Sequence, residues 1–484
     1  MTLELVAGRI IAPQVGVSLY TWTSVIGVIL AGMSLGNYLG GRLADRYASL
    51  GLLGVMLLLG GLASLGVLVL ARLPVLDLVA WPLIAEIFLL ITLLFFVPAM
   101  ILGTISPIVV KLAIPDMARA GRTVGRLSAA GTAGSILGTF ATGFWLISWF
   151  GTHTVIWGVA AVLLVMGAFF LFADHRVAGK MALALVLLLS AGVVRLGLTQ
   201  GPCLMETRYF CVKIQDDTRD GRPVRRLILD RLVHSYNSLE DPTHLVYHYE
   251  QTYAELTAYQ ATQVDVARPD PSLRTLFIGG GGYTFPRYVE AVYPESAIDV
   301  VEIDPGVTEV AYAFMGLARD SGIVTHNEDA RLFLARTVSV KYDLIFGDAF
   351  DDFSVPYHLT TQEFNERVRA WLEHDGLYIV NVVDGGAAHF LRAYVRTLRL
   401  TFAHVYVVPN VPTWRTISRD TFIVVAADVP LDLSAFGRQS RLVGRVLSPS
   451  EVDVLLADGR PLILTDRYAP VEQLLAPVYL GRTD

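Results

Sequence analysis

Charge is nearly missing from the first 200 residues of this 484-residue chain, and that asymmetry constrains the fold more than any motif does. Residues 1–200 hold 11 Lys/Arg and 6 Asp/Glu, a balance of +5, while residues 201–484 hold 27 and 38, a balance of −11. A soluble domain needs far more surface charge than the first part carries. The pattern predicts a multi-spanning α-helical membrane domain followed by an ordinary soluble part. The acidic balance of that second part has the wrong sign for nucleic acid, which selects a basic face.

Apolar stretches long enough to cross a bilayer lie at about 17–40, 51–71, 80–104, 124–149, 153–173 and 180–198. About six spans within residues 1–199 are therefore expected, the last one short and carrying Arg195. Small residues recur every four positions at Gly32, Gly36 and Gly40, and again at Gly134 and Gly138. That spacing lets two helix backbones approach closely. Pro98 and Pro107 predict a kink or break in the third stretch. Glu86 is a carboxylate inside an apolar run, read either as a functional group or as an interhelical hydrogen bond. Basic residues follow the first, third and fifth stretches: Arg42 and Arg46; Lys111, Arg119, Arg122 and Arg126; Arg176 and Lys180. Such loops face the cytoplasm by the positive-inside rule. Six crossings would leave the soluble part outside, and five would leave it inside. Cys203 and Cys211 fit no zinc or redox spacing. They are either unpaired or joined in a disulfide, which would need an oxidising compartment.

In the soluble part, short β-type runs at about 205–236 precede a helical pattern in "HLVYHYEQTYAELTAYQA". Strand-like pieces then alternate with helix-like ones: Thr275–Ile278, Ile298–Ile303, Tyr342–Gly347, Leu377–Val383, His404–Val408 and Phe422–Ala426. This alternation predicts a parallel, doubly wound sheet with ligands bound beyond the carboxyl ends of its strands. Gly279, Gly280, Gly281 and Gly282 end the first such strand, where bare backbone can lie against a ligand. Thr284 is expected to cap the helix that follows, with Pro286 in its first turn. Glu302, in "DVVEIDP", ends the second strand, where a carboxylate can hold ribose hydroxyls. Asp329, in "HNEDARLFL", either accepts a hydrogen bond from an adenine amino group or caps its own helix. Asp348, in "YDLIFGDAFDDF", stands at the mouth of the crevice, where a carboxylate can hold a cationic amine and take its proton. Asp351 and Asp352 beside it are either substrate contacts or ordinary loop acids.

These segments resemble the spermidine synthases, the polyamine aminopropyltransferases, and most of all their membrane-fused branch. The resemblance covers about residues 203–430. "ETRYFCVKI" is similar to the family's opening β segment and "LILDRLVHSY" to its Leu-Asp-Gly-x-x-Gln segment. "YHYEQ" is similar to Tyr-His-Glu, "IGGGGYT" to Ile-Gly-Gly-Gly-Asp-Gly-Gly, and "GDAFDD" to Asp-Ser-Ser-Asp, while "VEIDP" matches directly. The resemblance implies a Rossmann-like fold of the S-adenosylmethionine-methyltransferase type over 266–484. It also implies a small N-terminal β segment and gate helix over 200–265.

The family moves an aminopropyl group from decarboxylated S-adenosylmethionine to putrescine and leaves methylthioadenosine. It thus implies Glu302 for ribose, Asp329 for adenine, Asp348 as base and Tyr247 hydrogen-bonding nearby, with His248 close to the substrate. No metal is expected, and the implied partners are a small-molecule amine, the bilayer and a second copy of the chain.

The sequence departs from the family at three places. Gly282 replaces the Asp that would hold the aminopropyl ammonium, Tyr283 and Thr284 replace the next two glycines, and His234 replaces the glutamine. The hydroxyls of Tyr283 and Thr284 are candidates to meet the carboxylate of intact S-adenosylmethionine. Three activities stay open: aminopropyl transfer; a methyltransferase or lyase on intact S-adenosylmethionine, with His234, Tyr247 or Asp348 as base; and a nucleoside-sensing module coupled to the membrane domain. A bacterial inner-membrane location is expected. The cytoplasmic origin of the nucleoside places the soluble part inside, against the loop charges.

Overall fold

The computed structural model describes the chain apart from residues 17, 73–82, 115–119, 175–176, 196, 198–199, 268–271, 350–354, 437–439, 441, 443–444 and 481–484. It divides into two compact units, Met1–Cys211 and Val212–Asp484.

The first unit is helical, with α1 (Thr2–Val15), α2 (Leu19–Tyr47), α3 (Leu50–Leu70), α4 (Leu83–Ile91), α5 (Val97–Ala113), α6 (Ala120–Ala141), α7 (Ile147–Ala173) and α8 (Val177–Arg195), then a two-residue strand, β1 (Met205–Glu206). Ser18 and Ser49 cap α2 and α3 by accepting the N–H groups of Thr21 and Leu52. The third apolar stretch neither breaks nor stops at its prolines. A single π-turn, Thr92–Phe96, joins α4 to α5 just ahead of Pro98, and the helix runs on through Pro107. A widened turn of this kind absorbs the backbone donor that proline lacks.

Among the described residues, four helices are long and apolar enough to cross a membrane: Leu19–Tyr47, Leu50–Leu70, Ile84–Ala113 and Trp149–Ala173. The stretch at 124–149 falls largely on α6, which is not among those four, and of the stretch at 180–198 the part Val186–Arg195 is a shorter apolar helix. The small polar residues of α6 hold its apolarity down, and none of its residues is buried. Large apolar side chains such as Leu30, Phe88, Val165 and Phe169 point outward.

Inside this unit the four-residue spacing works as packing. A β-carbon on Gly32 would stand 2.8 Å from the Phe96 carbonyl oxygen, and one on Gly40 would stand 2.6 Å from Thr104 Cα. On Gly36 it would overlap the Met100 carbonyl oxygen. Helix α3 packs on α7 in the same way, through Gly54, Gly61 and Gly167, around Leu58, Leu65, Ala160, Leu164 and Leu171. In the second stripe a β-carbon on Gly134 would meet nothing within 4 Å and one on Gly138 only Thr2 Oγ1 at 3.5 Å, so neither glycine is required by a close backbone approach there. Cys203 and Cys211 are joined in a disulfide.

The second unit begins with an antiparallel meander, β2 (Cys211–Arg219), β3 (Arg222–Leu229) and β4 (Leu232–Asn237), followed by α9 (His248–Ala267). Its main sheet has seven strands: β5 (Arg274–Ile278), β6 (Ala297–Val301), β7 (Val324–His326), β8 (Tyr342–Gly347), β9 (Leu372–Asp384), β10 (His404–Pro409) and β11 (Asp420–Ala427). They lie in the order β10-β11-β9-β8-β5-β6-β7. Helices α10 (Thr284–Val292), α11 (Pro305–Phe314), α12 (Ala330–Phe333), α13 (Gln362–Trp371) and α14 (His389–Leu398) make the crossovers.

The sheet is mixed rather than all parallel. Strand β11 runs antiparallel to both β9 and β10, because a loop without a crossover helix joins it to β10. The chain reverses its direction of travel at β5, which pairs in parallel with β6 on one side and β8 on the other. A crevice opens at such a switch point, beyond the carboxyl ends of those strands.

Candidate active site

The glycine run leaves β5 while the sheet ladder continues one step past it. Gly279 N–H donates to the Val301 carbonyl and Asp348 N–H to the Ile278 carbonyl, each at 2.9 Å. Gly279 has φ 98°, and a β-carbon there would overlap the Asp348 carbonyl. Only glycine meets both demands. The turn then closes with Tyr283 N–H donating to the Gly280 carbonyl at 2.8 Å.

Two residues after the run behave differently from expectation. Tyr283 takes a left-handed conformation (φ 56°), and its ring is fully buried below Gly280. Its hydroxyl lies 3.2 Å from Thr308 Oγ1 and 3.1 Å from Thr325 Oγ1. Tyr283 is thus a prop under the turn, and its hydroxyl is not offered to a substrate. Thr284 is the first residue of α10 rather than its cap, and its hydroxyl donates to Asn237 Oδ1 at 2.7 Å. Neither hydroxyl is available for a ligand carboxylate.

Glu302 stands just past β6 and is 7% exposed. Its Oε2 accepts the N–H groups of Gly280 (2.8 Å) and Gly281 (3.3 Å), and its Oε1 accepts that of Asp304 (2.9 Å). Burial raises its pKa, and the three backbone donors oppose that shift. An ionised carboxylate has about four acceptor sites, so one remains for a ligand hydroxyl.

Asp329 caps α12, its Oδ1 accepting Arg331 N–H at 2.8 Å and Leu332 N–H at 3.1 Å. Its Oδ2 lies 3.2 Å from His358 Nε2. Of the two readings open for Asp329, the cap is the one made here, and Asp329 does not line the cavity. Asp351 and Asp352 lie outside the described residues.

Asp348 follows β8 and lines the cavity with Gly279–Gly282. Its carboxyl is pushed up to about 6, chiefly by burial, against hydrogen bonds from Asn381 and Tyr249. The Asn381 amide donates to Asp348 Oδ1 at 2.9 Å. Glu250, in the first turn of α9, is 2% exposed and lines the same cavity. Its pKa is raised well above the usual range by burial and by the nearby Asp348 charge. Burial thus raises both carboxyls, and the charge of Asp348 raises Glu250 further.

Tyr247 lines the cavity, but its hydroxyl donates to the Val233 carbonyl at 3.0 Å and burial raises its pKa. His234 also lines the cavity, with its pKa lowered to about 4 by burial and by the Arg419 charge. It is neutral, and weak as a base. His248, exposed at the start of α9, lies on the rim.

The structure thus brings Gly279–Gly282, Asp348, Tyr247, His234 and His248 to one cavity, while Glu302 is not in its lining and meets it through the N–H groups of Gly280 and Gly281. Sequence reasoning missed Tyr249, Glu250, Ser235, Asn381 and Arg419. Asn381 carried a signal, being the polar residue inside the apolar run "LYIVNVV".

A family model described as the spermine/spermidine synthase domain matches residues 263–420. The chain is 27% identical over 218 residues to the polyamine aminopropyltransferase of Vibrio vulnificus, covering 43% of this chain and 71% of that protein. It is 32% identical over 148 residues to a probable polyamine aminopropyl transferase of Bifidobacterium longum, covering 30% of this chain and 32% of that one. Among solved structures, a probable spermidine synthase from Corynebacterium glutamicum aligns with a TM-score of 0.45 at 22% identity, over 53% of this chain and 93% of that one.

Proposed function

We propose, from the match of residues 263–420 to the spermine/spermidine synthase domain and the likeness to polyamine aminopropyltransferases, that this spermidine synthase-like chain is a transferase acting on an adenosyl-sulfonium substrate. It releases methylthioadenosine as a neutral amine attacks the carbon chain. The observation that carries this reading is Asp348, a carboxyl held at about 6, placed against the glycine turn.

Each part follows from the residues. The bare turn lets the nucleoside lie on backbone, and Glu302 uses its remaining acceptor site for the ribose. The amine's nitrogen forms a bond to the carbon next to sulfur. The carbon–sulfur bond breaks with its electron pair kept by sulfur, and Asp348 takes the nitrogen's proton. A base with a pKa near 6 is ionised at neutral pH yet still close to the proton it must accept. Much of the acceleration comes from orientation, because sulfonium is already a good leaving group. His234 and Tyr247 orient and do not accept the proton, since one is too weak a base and the other is held protonated.

We place this activity at a membrane, by the four apolar helices. The shortest, 21 residues, spans about 30 Å at 1.5 Å per residue. A homodimer in the bilayer and a small-molecule amine as acceptor complete the proposal. The second unit is placed in the cytoplasm, where adenosyl-sulfonium donors are made. A C-terminal reporter active in the periplasm would overturn that placement and match the compartment in which the Cys203–Cys211 disulfide persists.

The test is a product assay on the purified full chain. Methylthioadenosine should form from an adenosyl-sulfonium donor in the presence of an amine, with kcat/KM rising as the pH passes about 6. Asp348→Asn should abolish turnover. The same variant should be more stable, by about 1–2 kcal/mol at pH 7. The folded pKa lies above the ordinary value of 3.8, so the ionised group opposes folding fully above about 6. Below about pH 4 the carboxyl is protonated folded or unfolded, and the gain should vanish. Turnover that survives Asp348→Asn would sink the mechanism.

A further inference from the structure

We infer that the cavity holds a carboxylate subsite made by Arg419, Ser235 and His234, so that the donor's tail is an intact amino acid rather than a decarboxylated one. The inference rests on the nucleoside reading above and names its substrate.

The first observation is steric. A β-carbon on Gly282 would overlap Ser235 Oγ and stand 3.1 Å from Asn237 Oδ1. Asn237 is itself fixed, donating to the carbonyls of Gly282 (2.6 Å) and Met315 (2.8 Å). A side chain at position 282 would have to displace that of Ser235, and Gly282 itself supplies no acid for a tail ammonium.

The second observation is an unused hydroxyl. Ser235 is 3% exposed and lines the cavity, and among the described residues its Oγ has no hydrogen-bond partner. A buried hydroxyl left unpaired is disfavoured, and a ligand acceptor would satisfy it. The third observation is charge. Arg419, in the loop ahead of β11, lines the same cavity. Its positive charge reaches His234 and Tyr247, adding to the burial that lowers the His234 pKa. A guanidinium repels an ammonium and pairs with a carboxylate.

The acids of the cavity, Asp348 and Glu250, come from β8 and α9. The donors come from β4 and the loop before β11. A tail bearing both signs matches this division, and a purely cationic tail does not. The reaction keeps its balance: the amine nitrogen bonds to the tail carbon next to sulfur, the carbon–sulfur bond breaks, and methylthioadenosine leaves. The proton goes to Asp348, and the group delivered is a 3-amino-3-carboxypropyl chain.

The test is calorimetric binding of three ligands to the full chain: methylthioadenosine, S-adenosylmethionine and its decarboxylated form. The intact form should bind at least about tenfold more tightly than the decarboxylated one, the scale of one charge-assisted hydrogen bond. Arg419→Gln should erase that preference, Ser235→Ala should reduce it, and both should leave methylthioadenosine binding unchanged, which also reports that the variants fold. Equal or tighter binding of the decarboxylated form overturns the subsite, as does a preference that survives Arg419→Gln. If methylthioadenosine does not bind the unaltered chain, the nucleoside reading fails first and the subsite fails with it.

Discussion

On α2, Gly32, Gly36 and Gly40 have ordinary helical backbone, and what forbids a side chain there is the α5 backbone opposite. In the turn after β5 the reasons change residue by residue. Gly279 needs its φ of 98° and also touches Asp348, Gly281 has φ 50° with open space around it, and Gly282 is blocked by Ser235. Glycines at a regular period serve packing between two elements. A contiguous run serves conformation and access for a ligand. The same residue type is fixed by distance in one place and by dihedral angle in the other.

The comparison can be broken by alanine. Gly279→Ala meets both a forbidden angle and an overlap, so it should cost about 3–4 kcal/mol in stability and abolish methylthioadenosine binding by calorimetry. Gly36→Ala meets only an overlap, with the Met100 carbonyl; thermal unfolding in detergent should show a loss of about 2–3 kcal/mol. Gly281→Ala meets only an angle, one that L-residues adopt at a cost, and should lose about 1 kcal/mol. Gly41→Ala, on α2 with nothing within 4 Å, should be neutral or gain up to about 1 kcal/mol. A loss at Gly41 equal to that at Gly36 would show that the stripe is not set by contact with α5.

Much of the second unit's sheet was legible because its strands are short apolar runs closed by turn residues, and β5, β8 and most of β9 are buried on both faces. The reversed β11 was not, since strand direction follows from the connection and not from the run itself. Asp348 was legible as a cavity residue because strand ends converge at a switch point, whereas Glu302, at the next strand end, is turned to the N–H groups of the glycine turn and is not in the cavity lining. Tyr283 was misread because nothing in its sequence neighbourhood says that a tyrosine after four glycines turns inward. Arg419 and Ser235 gave no signal for the same reason: they reach the cavity from distant segments, by tertiary packing. In the first unit, apolar length marked the helices, but α6 shows that length alone does not set apolarity.

The buried ring of Tyr283 also bears on rates. With its hydroxyl held between Thr308 and Thr325, and with Glu302 already accepting the N–H groups of Gly280 and Gly281, the turn has its shape before any nucleoside arrives. The entropy of ordering those four residues is spent during folding rather than at the encounter. Association should then proceed in a single kinetic phase, linear in ligand concentration, without the plateau that a slow loop closure would impose.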